Sequence, residues 1–122
     1  MRNTAQLITA ASAVATLLGA LSVSLPVAAA EPSALEQGKA ISFDNRKGNC
    51  LACHQIEGGD LPGNIGPPLV VMKMRFPDKA KLRAQIFDST QANPSSIMPP
   101  FGRHQILTPD ELDKVVDFIY SL

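Results

Sequence analysis

The run Cys50-Leu51-Ala52-Cys53-His54 constrains this chain more than any other stretch. Cys-x-x-Cys-His is the attachment pattern of c-type haem. Its spacing has a mechanical basis. On a helical turn, residues i, i+3 and i+4 share one face. Two thiols can then reach the two vinyl groups of one porphyrin while the imidazole projects towards its iron. The run therefore predicts one covalent haem c, with Cys50 and Cys53 forming the thioethers and His54 as proximal ligand.

Other chemistries use the same residue types. A thioredoxin-type dithiol wants a βαβ setting, and the sequence carries no strand signal of useful length. A zinc site would need Cys50, Cys53, His54 and His104, and the adjacent pair Cys53-His54 makes poor tetrahedral partners. A disulfide across two intervening residues would constrain little chain.

The N-terminal stretch agrees with haem attachment, which takes place outside the bacterial inner membrane. Arg2 supplies a positive start, Leu7 to Val27 is apolar and small, and Ala28-Ala29-Ala30 fits a cleavage site. Residues 1–30 read as a secretory signal peptide, leaving 31–122 as one domain in the periplasm. No later stretch is apolar enough to span a bilayer. The chain has 11 basic and 11 acidic side chains, so losing Arg2 leaves one excess negative charge. That balance does not suit a nucleic-acid binder. A domain this small, with no Trp, has a thin core and benefits from a cofactor.

The remaining pattern is all-α with long loops. Ser33 and Glu36 form a capping-box pattern that predicts a helix over 34–44. Gly38 inside it points to a close backbone approach by another element. Cys50–His54 should be a short helix. Residues 57–68 are rich in Gly and Pro and form an ordered loop. A helix is expected over 79–89, with Leu82 and Ile86 on one face and Phe87 beside them. Residues 93–102 are again loop. Thr108, Pro109 and Glu111 give an N-cap, a Pro at N1 and a second capping box. Leu112, Val115, Val116 and Ile119 then follow an amphipathic helical period. A buried cofactor would account for loops of this length.

A sixth ligand has four candidates: Met72, Met74, Met98 and His104. Met98 is favoured because Pro99 restricts it to extended geometry and Pro100 stiffens the loop. A preset loop loses less entropy when a thioether binds. Met72 and Met74 lie two residues apart and cannot both serve. Methionine is often core filler, and Met74 is the stronger rival of the two. His104 would give a bis-His haem. His/Met ligation raises the reduction potential and closes the iron to small molecules. A backbone carbonyl in Gly66-Pro67-Pro68-Leu69 is suited to orient the proximal His through Nδ1, although the same residues also make a simple turn. Lys73, Arg75, Lys79, Lys81 and Arg83 are either a steering or propionate-facing cluster or a solvated helix face.

The combination Gly48-Asn49-Cys50-Leu51-Ala52-Cys53-His54, Pro62-Gly63-Asn64-Ile65-Gly66-Pro67-Pro68, Met74-Arg75-Phe76-Pro77-Asp78 and Met98-Pro99-Pro100-Phe101-Gly102, followed by His104 and Ile106-Leu107, resembles SoxX. SoxX is the small monohaem subunit of the SoxAX cytochrome complex of sulfur-oxidising bacteria. The resemblance spans essentially all of residues 31–122. It implies a class I cytochrome c fold whose terminal helices cross, with Gly38 close to the last helix near Phe118 or Tyr120. It implies Met98 as the distal ligand and the Pro67 carbonyl as acceptor from His54. It further implies a heterodimer with a larger SoxA-like subunit. That partner would carry the catalytic thiol of an L-cysteine S-thiosulfotransferase, joining thiosulfate to a SoxY-type carrier. This chain would take the electrons and pass them to a downstream cytochrome c. Both of its cysteines belong to the attachment run, so it has no third thiol for the reaction.

Overall fold

The computed structural model describes residues 30–122, and they form four α-helices joined by long loops, with no strand among them. The predicted signal peptide lies outside the described residues, apart from Ala30. Helix α1 spans Ala34–Phe43. Its capping box is complete: the Ser33 hydroxyl accepts from the Glu36 amide, and the Glu36 carboxylate accepts from the Ser33 amide. Helix α4 spans Pro109–Ser121 and starts with the same device, built from Thr108 and Glu111. Each box satisfies amides that the first turn of a helix leaves without partners.

Two further helices complete the frame. Helix α2 is a single turn, Met72–Arg75, which the sequence pattern does not announce. It begins at Val71 in the left-handed region (φ 46°) without a side-chain cap, and Met72 N–H donates to the Leu122 carbonyl at 3.2 Å. Helix α3 spans Lys79–Phe87, capped by Asp78. It stops short of the expected Ser89 because Asp88 is extended (φ −155°) and caps a separate 3₁₀ turn, Ser89–Gln91. Asp and Ser side chains compete with helical hydrogen bonds in this way.

Helix α4 packs along α1 and α3. Its predicted apolar face, Leu112, Val115, Val116 and Ile119, is buried together with Phe118. Leu82 and Ile86 of α3 join that core, while Phe87 is 41 % exposed. The expected close approach at Gly38 is present. A Cβ there would stand 2.0 Å from the Lys114 carbonyl oxygen and 3.0 Å from the Phe118 Cβ. Beside this crossing, Phe43 meets Phe118 edge-on with ring centroids 6.0 Å apart. This is the all-α, class I cytochrome c arrangement, and it leaves one side of the core open towards the loops.

Candidate functional site

The open side is a crevice of about 830 Å³, within the usual size range of a small-molecule site. Its floor is apolar, formed by Leu69, Met72, Phe76, Leu82, Ile86, Phe101 and Ile119. Cys50, Cys53, His54 and Met98 line the same crevice. Four of the five residues predicted to serve one cofactor, drawn from two distant loops, are thus brought to one cavity. The fifth, Pro67, lines it as well.

The attachment run makes a 3₁₀ turn over Cys50–Ala52. The Cys53 and His54 amides both donate to the Cys50 carbonyl, at 3.2 and 2.8 Å. The Gly48 amide ties the run to α1 through the Ile41 carbonyl at 3.1 Å. The Gly/Pro loop is laced to it at three points: Gly63 to Leu51 (2.7 Å), Gly66 to Cys53 (2.8 Å) and Leu69 to Gln55 (2.9 Å), each amide to carbonyl. These bonds place Gly66 flat against the imidazole, where a Cβ would come within 2.4 Å of His54 Cε1. They also bring the Pro67 carbonyl to 2.7 Å from His54 Nδ1. A carbonyl only accepts, so Nδ1 carries the proton and a neutral ring keeps its lone pair on Nε2. The stretch Gly66–Leu69 is therefore more than a turn: it sets the tautomer and orientation of the histidine.

Burial pushes the Cys50 thiol up to about 11, against a smaller opposing effect from the Ser42 hydroxyl. Reactive dithiols work the other way, with one thiol held low. Cys50 is not the low thiol that such a pair needs. Zinc is also disfavoured. His104 is exposed and lies off the crevice, and no group of three or more His, Cys, Asp or Glu among the described residues is arranged to hold a metal ion.

The methionines differ in exposure. Met98 is half-buried and lines the crevice. Met74, the stronger rival within its pair, is 80 % exposed, whereas Met72 is 1 % exposed and belongs to the core. The reason is helical period: residues i and i+2 of α2 point to nearly opposite sides. Met72 also accepts from Arg75 Nη1 at 3.5 Å, which suits a packed core residue. The basic cluster divides too. Arg75 lines the crevice and donates to the Pro68 carbonyl at 2.7 Å. Lys79 and Arg83 pair with Asp117 and Asp113 of α4.

Sequence reasoning missed Ser89 and Ser96. The Ser89 hydroxyl donates to the Met98 carbonyl at 2.9 Å, and the Ser96 hydroxyl accepts from the Met98 amide at 3.3 Å. Neither belongs to a motif, and only the folded loop reveals them.

The donor set fits haem c: two thiols, one oriented imidazole and one thioether around an apolar cavity. Comparison with known proteins agrees. Residues 34–119 match the family described as cytochrome c oxidase, cbb3-type, subunit III. An uncharacterized lipoprotein of Aquifex aeolicus (strain VF5) is 34 % identical over 78 residues, which is 63 % of this chain and 38 % of that protein. The chain thus spans well under half of that relative. Among solved structures, SoxXA from P. pantotrophus is similar at a TM-score of 0.65 and 28 % identity, over 75 % of this chain and 82 % of the matched one.

Proposed function

The chain belongs to the family described as cytochrome c oxidase, cbb3-type, subunit III, and from that premise we propose that it is the electron-transfer subunit of a SoxAX-type complex. It is a SoxX-like c-type cytochrome, and haem c is the group its family implies. One haem would be held covalently by Cys50 and Cys53, with His54 and Met98 as its iron ligands. When bound, the haem supplies a one-electron carrier. The chain's own residues do the rest. Pro67 holds the His54 proton on Nδ1. The apolar floor keeps water out. Met98, seated by its proline loop, would supply the second protein ligand and so keep small molecules from the iron.

The observation that carries this reading is the His54–Pro67 hydrogen bond of 2.7 Å in a crevice that also takes in Met98. It supplies the orienting acceptor that a ligating imidazole needs. The likeness to SoxXA supports the specific role. There a SoxA-like subunit would oxidatively join thiosulfate to a SoxY-type carrier, releasing two electrons. This subunit would accept them singly and pass them to a downstream cytochrome c. The signal-peptide pattern and the Aquifex relative's description as a lipoprotein support export to the periplasm. No helix among the described residues is long and apolar enough to cross a membrane.

The ligand assignment is tested by spectroscopy. Met98→Ala should abolish the weak methionine-to-iron charge-transfer band at the red end of the spectrum, while Met74→Ala and Met72→Leu keep it. A band that survives Met98→Ala overturns the assignment. The complex is tested by purifying the chain from its native host with haem staining. A larger haem protein should travel with it. Recovery as a stable monomer favours a free-standing electron shuttle instead.

A further inference from the structure

Met98 sits at an awkward place for a ligand that must hold its position. It is followed by Pro99 and Pro100, which have no amide hydrogen. The loop cannot be pinned through the next two residues' N–H groups, so carbonyls must serve: the Pro100 carbonyl accepts from the His104 amide at 3.0 Å, and the Met98 carbonyl is the anchoring point at the ligand itself. The structure uses it. Ser89, 0 % exposed, donates its hydroxyl to that carbonyl at 2.9 Å, nine residues back along the chain.

The turn that presents Ser89 is itself fixed. The Asp88 carboxylate, buried, accepts from the Thr90 amide (3.1 Å), the Thr90 hydroxyl (2.5 Å), Gln91 Nε2 (3.0 Å) and Arg103 Nη1 (3.4 Å). The Phe87 carbonyl accepts from both the Gly102 and Arg103 amides, at 3.1 and 3.2 Å. The loop that carries Met98 is therefore closed at its base by Phe87 and Asp88, and latched at its middle by Ser89.

We infer that Ser89 is a positioning residue for Met98, a buried latch that resists displacement of the thioether from the haem iron. The inference rests on Met98 being the sixth ligand. A competing ligand must displace the Met98 side chain, and with its carbonyl held by Ser89 the loop cannot swing outward with it unless that hydrogen bond breaks. The latch thus adds to the cost of displacement without touching the iron.

The test uses the full haem-bearing protein, titrated in the ferric state with imidazole while the charge-transfer band is followed. Ser89→Ala should bind imidazole about fivefold more tightly than the parent, the effect of one ordinary neutral hydrogen bond. Ser121→Ala is the control. It removes a comparable hydroxyl bond, to the Phe118 carbonyl at 2.6 Å, on the C-terminal helix, and should leave the affinity unchanged. Unchanged affinity in Ser89→Ala, or an equal gain in Ser121→Ala, overturns the latch. If Ser89→Ala yields no haem protein, Ser96→Ala decides. It removes the 3.3 Å acceptor of the Met98 amide, and it should shift affinity in the same direction, whereas no shift overturns the proposal. A parent protein without the charge-transfer band would instead refute the ligand reading itself.

Discussion

Gly38→Ala tests the crossing of α1 and α4, and two principles predict opposite signs for it. Helix propensity alone says that the change stabilises, by about 1 kcal/mol. Contact geometry says the reverse. The new Cβ would stand 2.0 Å from the Lys114 oxygen and 2.6 Å from its carbonyl carbon. Both are backbone atoms, so no rotamer change relieves the clash. Ordinary carbon–oxygen contacts lie at roughly 3.3 Å or beyond, so the helices must part by about 1 Å. Overpacking of this kind costs about 1–3 kcal/mol. Parting also loosens the edge-on pair Phe43–Phe118, which contributes roughly 1 kcal/mol.

Steric cost and lost packing together outweigh the propensity gain by about 2 kcal/mol. For a domain of this size that lowers Tm by roughly 10 °C. The assay is thermal unfolding of the haem protein followed by circular dichroism. Ala40→Gly, on the exposed side of the same helix, is the companion. It removes propensity without relieving any contact and should cost only about 1 kcal/mol. The order of Tm should be parent, then Ala40→Gly, then Gly38→Ala. A Gly38→Ala protein as stable as the parent, or more so, would refute the packing argument.

In Gly66→Ala the new Cβ would fall 2.6 Å from His54 Nδ1, turning the ring off the Pro67 carbonyl. Haem staining per mole of chain should fall by about tenfold, the usual effect of losing a residue that orients a metal ligand; full haem loading would refute the cradle. Hydrogen bonds from Thr90 and Gln91 hold the Asp88 carboxyl at about 2, below its ordinary 3.8. Between these values the unfolded chain binds more protons, so the group's stabilisation is complete above about pH 4 and is lost as pH falls towards 2. Asp88→Asn should flatten that part of the urea-midpoint profile. An unchanged slope between pH 4 and 2 would show that other carboxylates dominate it.

What the sequence shows of this fold is whatever depends on near neighbours. Both capping boxes join residues three apart, and both helices start where Ser33 and Thr108 predict. The attachment run is equally local. What it hides depends on partners brought close only by folding. Helix α2 carries no cap and is held instead by Leu122, fifty positions away in the chain. The pairs of Lys79 with Asp117 and Arg83 with Asp113 divide a basic cluster that looks continuous in sequence. Gly38 stands between these cases. Its residue type reveals that something comes close, while only the structure shows that it is the Lys114 carbonyl.

The same distinction explains how the chain can present a specific crevice with so thin a core. The helices contribute one apolar wall, and the candidate ligating residues come from the loops between them. Such loops would ordinarily be the least stable part of a small domain. Here each is tied down beside the residue that matters. The Gly/Pro loop is hydrogen-bonded to the attachment run on both sides of His54, and the Met98 loop is closed by Phe87 and Asp88 and latched by Ser89. The two sides differ in kind. His54 is oriented directly, through its own Nδ1, whereas Met98 is held through its backbone and its sulfur receives no hydrogen bond among the described residues. A thioether has little to offer as an acceptor, so backbone anchoring is the means by which a protein can restrain it. The rigidity of the methionine side therefore depends on the loop's anchors, while that of the histidine side depends on a single carbonyl, and substitutions at the two should fail in different ways: the first in ligand exchange, the second in haem retention.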